Sequence, residues 1–459
     1  MKLRPYQQED VNKIIQRNSV AIFNEQRTGK TPTSLVAMNS VAKGRVLIVC
    51  TASMLYTWAQ EAEQWTDREV FPFTGTTKRR QILLDNWAAT SNGILIISYD
   101  LFKTTKRNEG LKYIIRDTIK PEGLIVDEVH RCAGRKTANF KSLRYMSRIP
   151  KRLYLTGTPA PNHPSQVWSI LTMVDPKEFT SYWRFVEHFF EIEQQRLPAY
   201  IAAKVGMTHT QSPSGFLPGK EDEYVQMLDH YSIMRKRQDV MPWLPEREEP
   251  TRIKLPPTNQ QLKALHELEE FFETGNIITQ GILDMLLRCR QITLHPGLLD
   301  IKSKSPKLEW LKTYVSDYPE NSIVVFSRFT QFLKLAVKQD FKDAGIIIGE
   351  TPALHRKRLL DSFQSGRIKL LFIQIDAGKE GLTLDRADTL IFTDVYPPAS
   401  DILQARDRII ATQKNRVKPT EIIELVLSQT YDECIYDIVD KRIQSADVAN
   451  NYINYLERK

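Results

Sequence analysis

Short apolar runs alternate with amphipathic stretches through the first third of the chain. The runs, rich in Val, Ile and Leu, cover residues 19–23, 45–50, 94–98, 123–127 and 152–156. Apolar residues recur at helical spacing between them, for example over residues 54–65. Near-continuous apolar runs with helices between them are typical of a parallel sheet that is covered on both faces. The pattern therefore predicts an α/β lobe.

The pattern changes between residues 175 and 304, where helical spacing dominates and no run predicts a strand. The predicted helices cover residues 182–190, 259–274 and 280–290. Residues 205–220 are rich in Thr, Ser, Gly and Pro, a composition that predicts a loop. We therefore expect a helical insertion here.

Strand–helix alternation then returns and predicts a second parallel-sheet lobe. Its apolar runs cover residues 322–326, 345–348, 370–373 and 389–392. The predicted fold is thus α/β, with two lobes and a helical insertion between them. Its predicted divisions are residues 1–176 for the first lobe, 177–304 for the insertion, 305–430 for the second lobe and 431–459 for a C-terminal helical segment.

Composition narrows the class of protein only modestly. A chain of 459 residues with 41% hydrophobic and 26% charged residues fits a protein of several globular domains. The net charge of +9 favours a polyanionic partner, although many basic proteins bind no nucleic acid. The four cysteines form no Cys-x-x-Cys pair, which argues against a zinc site and a disulfide framework.

The distribution of apolar residues also bears on location. No run reaches membrane-spanning length, and the N-terminus lacks the apolar core of a signal peptide. We expect a cytoplasmic protein with no membrane contact, or one in the host cytoplasm if the chain is viral.

A phosphate-binding loop is expected directly after the first predicted strand. The pattern G-x-x-x-x-G-K-[ST] is matched by residues 24–31 except that Asn24 stands in place of the first Gly, and Asn tolerates left-handed backbone. In this pattern Lys30 binds the β- and γ-phosphates and Thr31 binds Mg²⁺. A chance Gly-Lys-Thr is the alternative, which the strand before it and the helix after it disfavour. The predicted loop residues are Asn24, Glu25, Gln26, Arg27, Thr28, Gly29, Lys30 and Thr31.

An acidic pair follows the run at 123–127. Asp127 is predicted to bind Mg²⁺ and Glu128 to deprotonate the attacking water. An ordinary acidic turn is the alternative, and His130 taken alone fits a structural histidine better. With the loop, the pair predicts hydrolysis of a nucleoside triphosphate.

These motifs resemble a known family when they are combined with Leu-Thr-Gly-Thr-Pro at residues 155–159. They are similar to superfamily-two helicases and, more narrowly, to Swi/Snf-type DNA translocases in a compact form like that of tailed phages. The resemblance implies two RecA-like lobes that use ATP and Mg²⁺. It also covers Met-Arg-Lys-Arg-Gln-Asp-Val at residues 234–240 and extends over nearly the whole chain.

The resemblance assigns further roles residue by residue. Gln7 is implied in adenine recognition, where an amide offers both a donor and an acceptor. The other implied residues are Gly381 for ATP; His130, Thr156, Thr158 and Gln404 for coupling; Thr51, Ser98, Tyr99, Arg328 and Lys379 for DNA; and Arg408 for catalysis.

The chain also departs from the family pattern. Lys379 and Thr383 replace a usual Gly and Asn, and Ala411 stands where a second Arg is usual. One of those two arginines normally contacts the γ-phosphate. Arg408 is therefore the best candidate for this arginine finger, and Arg406 is a possible substitute.

The implied function is an ATP-dependent DNA helicase or translocase that moves along duplex DNA as a monomer. The absence of a recognisable chromatin-reader domain favours forks or four-way junctions as substrates, hence branch migration in DNA recombination and repair. The alternative is a remodeller of protein–DNA or transcription complexes that does not separate strands. A non-catalytic scaffold and a restriction-enzyme motor are weaker alternatives.

Two surface features bear on DNA contact. Lys141, Arg144, Arg148 and Arg152 have the spacing of a basic helix stripe, which is either a phosphate-binding surface or a solvated face. Residues 216–218, Phe-Leu-Pro, are either a wedge at a DNA junction or part of a disordered insert, which we favour.

Overall fold

Two parallel sheets carry the fold. The computed structural model describes residues 2–103, 110–196, 209–241, 250–274, 281–378, 384–394, 420–437 and 440–441. The strands are β1 Ser19–Ile22, β2 Val46–Cys50, β3 Val70–Pro72, β4 Ile94–Ser98, β5 Gly123–Val126, β6 Lys151–Leu155, β7 Phe190–Arg196, β8 His209–Phe216, β9 Ser232–Ile233, β10 Thr251–Leu255, β11 Ile323–Ser327, β12 Gly345–Ile347, β13 Leu370–Gln374, β14 Thr389–Phe392 and β15 Glu421–Leu427.

The helices connect these strands. They are α1 Pro5–Ile15, α2 Lys30–Val41, α3 Leu55–Trp65, α4 Thr77–Ala89, α5 Tyr99–Phe102, α6 Leu111–Tyr113, α7 Ala138–Tyr145, α8 Trp168–Val174, α9 Tyr182–Phe189, α10 Glu221–Tyr231, α11 Arg237–Val240, α12 Asn259–Thr274, α13 Gly281–Leu294, α14 Pro306–Asp317, α15 Thr330–Gln339, α16 Ala353–Gln364 and α17 Ile375–Gly378. Short 3₁₀ or π turns lie at Ile114–Ile119, Val129–Cys132, Met146–Arg148, Pro164–Val167 and Pro296–Leu299.

The first sheet has the strand order β3-β4-β2-β5-β6-β1-β9, and every pairing in it is parallel. All residues of β2 and β4 are buried, as expected for strands covered on both faces. The carboxyl ends of its strands meet at one edge. That edge receives the residues that follow β1, β5 and β6, which include most of the predicted catalytic ones.

The second sheet has the order β10-β15-β14-β11-β13-β12 and is also parallel. The described residues fall into two compact units. The first takes the described residues up to Glu193 and those from Pro213 to Met241, and the second includes those from Pro250 onward. Two parallel-sheet lobes therefore confirm the predicted α/β fold class, while the domain boundaries at 176, 304 and 430 stay predictions.

The expectation that residues 175–304 lack strands was wrong. β7 and β8 form a two-stranded sheet, β9 joins the first sheet beside β1, and β10 joins the second beside β15. The expected loop at 205–220 is also corrected, since β8 occupies residues 209–216 of it. Composition misled here because a strand rich in Ser and Thr carries the same residue types as a loop.

Candidate active site

The phosphate loop joins β1 to α2 at the carboxyl edge of the first sheet. Gly29 has a φ of +82°, a left-handed conformation that favours glycine, and an added Cβ would lie against the Gln7 side-chain amide. The Lys30 ammonium donates to the carbonyls of Asn24 (2.8 Å) and Glu25 (3.1 Å). The loop therefore wraps around its own lysine, and the α2 N-terminus behind it favours an anion.

Helix α1 holds this loop from the other side. The Gln7 side-chain amide donates to the Thr28 carbonyl at 3.1 Å, and the Tyr6 hydroxyl donates to the same carbonyl at 2.8 Å. The Gln7 carbonyl oxygen accepts from the Arg4 backbone N–H at 2.8 Å. Gln7 thus lies at the phosphate loop, and its role in adenine recognition stays a prediction.

Asp127 and Glu128 lie at the end of β5, near the loop. Asp127 accepts hydrogen bonds from the indole N–H of Trp58 (2.8 Å) and the Glu128 backbone N–H (3.0 Å). Burial raises the pKa of Asp127 to about 6, the neighbouring charge of Glu128 adds to the rise, and Trp58 and Lys30 oppose it. Glu128 has a left-handed φ of +48°, which turns the chain sharply out of the strand.

Two of the predicted coupling residues contact each other beside the acidic pair. His130 Nδ1 lies 2.9 Å from the Thr156 hydroxyl and 3.3 Å from Glu128 Oε2. The Thr158 backbone N–H donates to the same Thr156 hydroxyl at 3.0 Å. A continuous polar path thus runs from Glu128, just after β5, to the segment that follows β6.

The polar atoms around the loop fit a nucleotide. Asn24 Oδ1, Gln26 Nε2 and the Thr158 hydroxyl are buried and have no hydrogen-bond partner in the described ranges. Buried polar atoms are rarely left this way, so they suit a ligand with both donors and acceptors. Thr31 and Asp127 carry the oxygen ligands that Mg²⁺ prefers. In the described part of the chain, no cluster of three or more His, Cys, Asp or Glu could hold a metal ion.

The predicted DNA-contacting residues lie in different surroundings. Thr51 and Ser98 are buried at the ends of β2 and β4, and the buried Tyr99 hydroxyl donates to the Asp127 carbonyl at 2.7 Å. Arg328, after β11, pairs with Asp376 at 3.2 Å. Lys379, Gly381, Gln404 and Arg408 lie outside the described residues. The DNA role of Thr51, Ser98, Tyr99, Arg328 and Lys379 stays a prediction. So do the roles of Gly381 in ATP binding, Gln404 in coupling and Arg408 in catalysis.

The basic stripe is only partly as expected. Lys141, Arg144 and Arg148 are exposed, and Arg148 interacts electrostatically with Asp117. Arg152 instead turns inward from β6 and donates to the backbone carbonyls of Ile149 and Val174. It lies on a strand rather than on α7, so helical spacing does not apply to it.

Sequence reasoning missed how Trp58 and Tyr99 support the acidic pair. Trp58 is fully buried on α3, and its N–H is fixed on Asp127. A buried indole N–H requires an acceptor, which is a usable signal. The sequence alone could not name that acceptor, because it lies 69 residues away.

Comparison with known proteins identifies the family. The SNF2-related domain family matches residues 6–298, and the helicase conserved C-terminal domain matches residues 306–411. Since the first match covers more than half of the chain, the protein belongs to the SNF2-related family. The prediction of a DNA-dependent ATPase is thereby confirmed at the level of the family.

Individual relatives are more distant. A Danio rerio protein, "Chromodomain-helicase-DNA-binding protein 1-like", is 24% identical over 97% of this chain and 44% of its own length. A Caenorhabditis elegans protein, "SWI/SNF-related matrix-associated actin-dependent regulator of chromatin subfamily A-like protein 1 homolog", is 24% identical over 96% of this chain and 61% of its own. The chain spans about half the length of such relatives.

Two further comparisons complete these findings. The Schizosaccharomyces pombe protein "Chromatin-remodeling ATPase INO80" is 23% identical over 78% of this chain and 23% of its own length. The solved "Sulfolobus solfataricus SWI2/SNF2 ATPase core in complex with dsDNA" is 21% identical, covers 98% of this chain and 93% of its own, and has a TM-score of 0.43. Within the described ranges, no helix is both long and apolar enough to cross a membrane.

Proposed function

We propose that this protein is an ATP-driven motor that moves along duplex DNA and remodels forks or four-way junctions. The observation that carries the motor proposal is the meeting of Lys30, the Asp127–Glu128 pair and the His130–Thr156 contact at one sheet edge. Such an edge of an α/β sheet is where ligands bind. Membership of the SNF2-related family supports the same proposal.

The residues at this edge divide the chemistry among them. Lys30 exchanges its two loop carbonyls for the β- and γ-phosphates of ATP, and Glu128 accepts the proton of the attacking water. Thr31 and Asp127 would hold Mg²⁺, which would neutralise charge on the phosphates. His130 links Glu128 to Thr156 and so relates hydrolysis to the segment after β6.

Movement along DNA requires contacts that ignore sequence. Lysine and arginine contacts to phosphates provide such contacts, and their strength falls steeply with salt. We assign this role to Arg328 and Lys379, with Lys141, Arg144 and Arg148 as exposed positive charges on the first lobe. We also assign DNA contact to Thr51, Ser98 and Tyr99. They lie at or beside the carboxyl ends of β2 and β4, so the DNA backbone is proposed to run along that edge of the sheet.

Branched DNA is the proposed substrate class. We also propose that the chain is a compact motor of the kind found in tailed phages. The rival function is the remodelling of protein–DNA complexes. It is favoured by the names of relatives, among them a chromatin-remodelling ATPase. We further propose that the protein is a monomer and acts in the cytoplasm. The domain boundaries at residues 176, 304 and 430 also remain proposals.

Product analysis on defined DNA separates the two functions. The chain is incubated with ATP and either a labelled fork, a four-way junction, or a duplex carrying a tightly bound protein. We expect ATP-dependent conversion of the junction into duplex products, and no conversion by Lys30→Ala. Displacement of the bound protein without any processing of forks or junctions would contradict the branch-migration proposal and favour the rival.

A further inference from the structure

A segment of the first unit lies directly along the phosphate loop. This segment, residues 233–237, continues from β9. The Phe23 and Glu25 backbone N–H groups donate to the carbonyls of Ile233 (2.7 Å) and Arg235 (3.0 Å). The Arg237 backbone N–H donates to the Glu25 carboxylate at 2.8 Å. The loop and the 233–237 segment are therefore paired along their backbones.

Asp10 joins the two through its side chain. It lies on α1 and is 0% exposed. One carboxylate oxygen accepts from the Asn24 side-chain amide at 2.8 Å, and the other accepts from Arg235 Nε at 2.9 Å. Arg235 reaches further to Glu9, also at 2.9 Å, although the Glu9 side chain is 62% exposed.

The electrostatics of this cluster favour a fixed geometry. Burial alone lowers the pKa of Arg235, but Asp10 and Glu9 outweigh it and raise that pKa above its usual range. A buried carboxylate is tolerated only where its partners satisfy it, and loss of one partner leaves an uncompensated charge. The Asp10 carboxylate therefore fixes the positions of both the Asn24 amide and the Arg235 guanidinium.

Asn24 passes this constraint to the catalytic lysine. Its side chain is held by Asp10, while its backbone carbonyl accepts from the Lys30 ammonium at 2.8 Å. A glycine at this position, as the general phosphate-loop pattern has it, would lack the amide that Asp10 binds. The departure from that pattern thus has a physical reason in this chain.

We propose that Asp10 is a positioning residue that locks the phosphate loop, through Asn24, to the 233–237 segment, so that the geometry around Lys30 depends on that segment. The inference rests on the proposed function, since it assumes that the loop binds ATP. It goes beyond that function because it couples the phosphate loop to a segment held by the Asp10–Arg235 pair, whose residues are 225 positions apart in the chain.

Reversing the donor and acceptor of one hydrogen bond tests the lock. Asn24→Asp puts two carboxylates against each other, and we expect ATP binding to weaken at least about tenfold. The double variant Asp10→Asn/Asn24→Asp restores the hydrogen bond with donor and acceptor exchanged, so that position 10 now donates to position 24. The amide oxygen at position 10 still accepts from Arg235. We expect it to recover ATP affinity to within about threefold of wild type.

Two readouts are needed for each variant. Equilibrium titration with a fluorescent ATP analogue and Mg²⁺ gives Kd without turnover, and ATPase assays give KM and kcat. A positioning role raises Kd and KM for Asn24→Asp far more than it lowers kcat at saturating ATP. Thermal unfolding without nucleotide checks that each variant folds.

Glu9→Gln is the matched control, because it removes an exposed partner of the same Arg235. We expect its Kd to stay within about twofold of wild type, since exposed ion pairs contribute little. If Asn24→Asp does not fold, Arg235→Gln serves instead and is expected to weaken ATP binding. Wild-type Kd in Asn24→Asp or in Arg235→Gln would overturn the inference, as would a double variant no better than Asn24→Asp. A wild-type chain that binds no ATP would overturn the proposed function as well, which distinguishes the two failures.

Discussion

Lys30 is the residue on which the nucleotide site depends most. Its ammonium lies inside the loop, where it donates to the carbonyls of Asn24 and Glu25. Its charge also opposes the rise in the pKa of Asp127. We therefore propose that Lys30 acts on the substrate and on the acidic pair together.

Replacing this lysine should abolish catalysis. We expect Lys30→Ala to reduce DNA-stimulated ATP hydrolysis to background, because the loop loses the positive charge proposed to bind the β- and γ-phosphates. The matched control is Lys43→Ala, which removes an exposed lysine just past the other end of α2 and should leave kcat unchanged. Retained turnover in Lys30→Ala would remove this loop from the active site.

Glu128 can be separated from nucleotide binding. We expect Glu128→Gln to bind ATP with near wild-type affinity but to hydrolyse it at least about a hundredfold more slowly, because an amide cannot accept the proton of water. Single-turnover hydrolysis and equilibrium binding measure the two quantities. Glu122→Gln, just before the start of β5, is the control and should turn over normally. Normal hydrolysis by Glu128→Gln would assign the base elsewhere.

The two-stranded sheet of β7 and β8 lies in the region that the sequence predicts to be helical. Phe216 ends β8 and packs against Phe190 (4.7 Å between ring centroids) and Tyr224 (5.1 Å). It is half-buried in an aromatic cluster rather than in a disordered insert. The favoured expectation for this residue was therefore wrong, and its packing gives little support to the wedge.

The free energy of unfolding of Phe216→Ala distinguishes a packing role for Phe216 from a role as a DNA wedge. We expect Phe216→Ala to lower the free energy of unfolding by about 2 kcal/mol, since it removes half-buried aromatic surface. Denaturant titration measures this loss. Tyr56→Ala removes an aromatic ring that is 62% exposed and should change stability by less than about 0.5 kcal/mol. Unchanged stability in Phe216→Ala, with impaired junction processing, would support the wedge instead.

Local patterns account for what the sequence predicts well. The strand, loop and helix around Lys30 lie within one short stretch, so their order alone indicates a phosphate site. The strand ends at Asp127 and Thr156 are predicted in the same way. The two-residue strand β9 and the exposed edge strand β10 are missed because neither has the apolar periodicity of a buried strand.

Contacts between distant residues account for the rest. The Asp10–Arg235 pair and the Trp58–Asp127 bond join residues 225 and 69 positions apart. Asp10 has the sequence context of any exposed helix residue, and nothing local indicates that it is buried. Such residues become visible only when the fold brings their partners together.

We propose that both matched domains contribute residues to ATP hydrolysis. Arg408 lies in the part matched by the helicase C-terminal domain, and Ala411 occupies the place of a second arginine. We expect Arg408→Ala to lower kcat at least about a hundredfold with little change in ATP affinity, as for an arginine finger. Arg406→Ala is the paired variant. A large loss in kcat for Arg406→Ala, with none for Arg408→Ala, would move the finger to Arg406.

Coupling of hydrolysis to duplex DNA is the central claim about this molecule. The most direct test is the steady-state rate of ATP turnover by the full chain, measured with and without plain double-stranded DNA. We predict stimulation of at least about tenfold by duplex, lost in Lys30→Ala and reduced by added salt, because phosphate contacts weaken with salt. An unchanged rate on adding duplex, in a chain that binds ATP, would contradict the account.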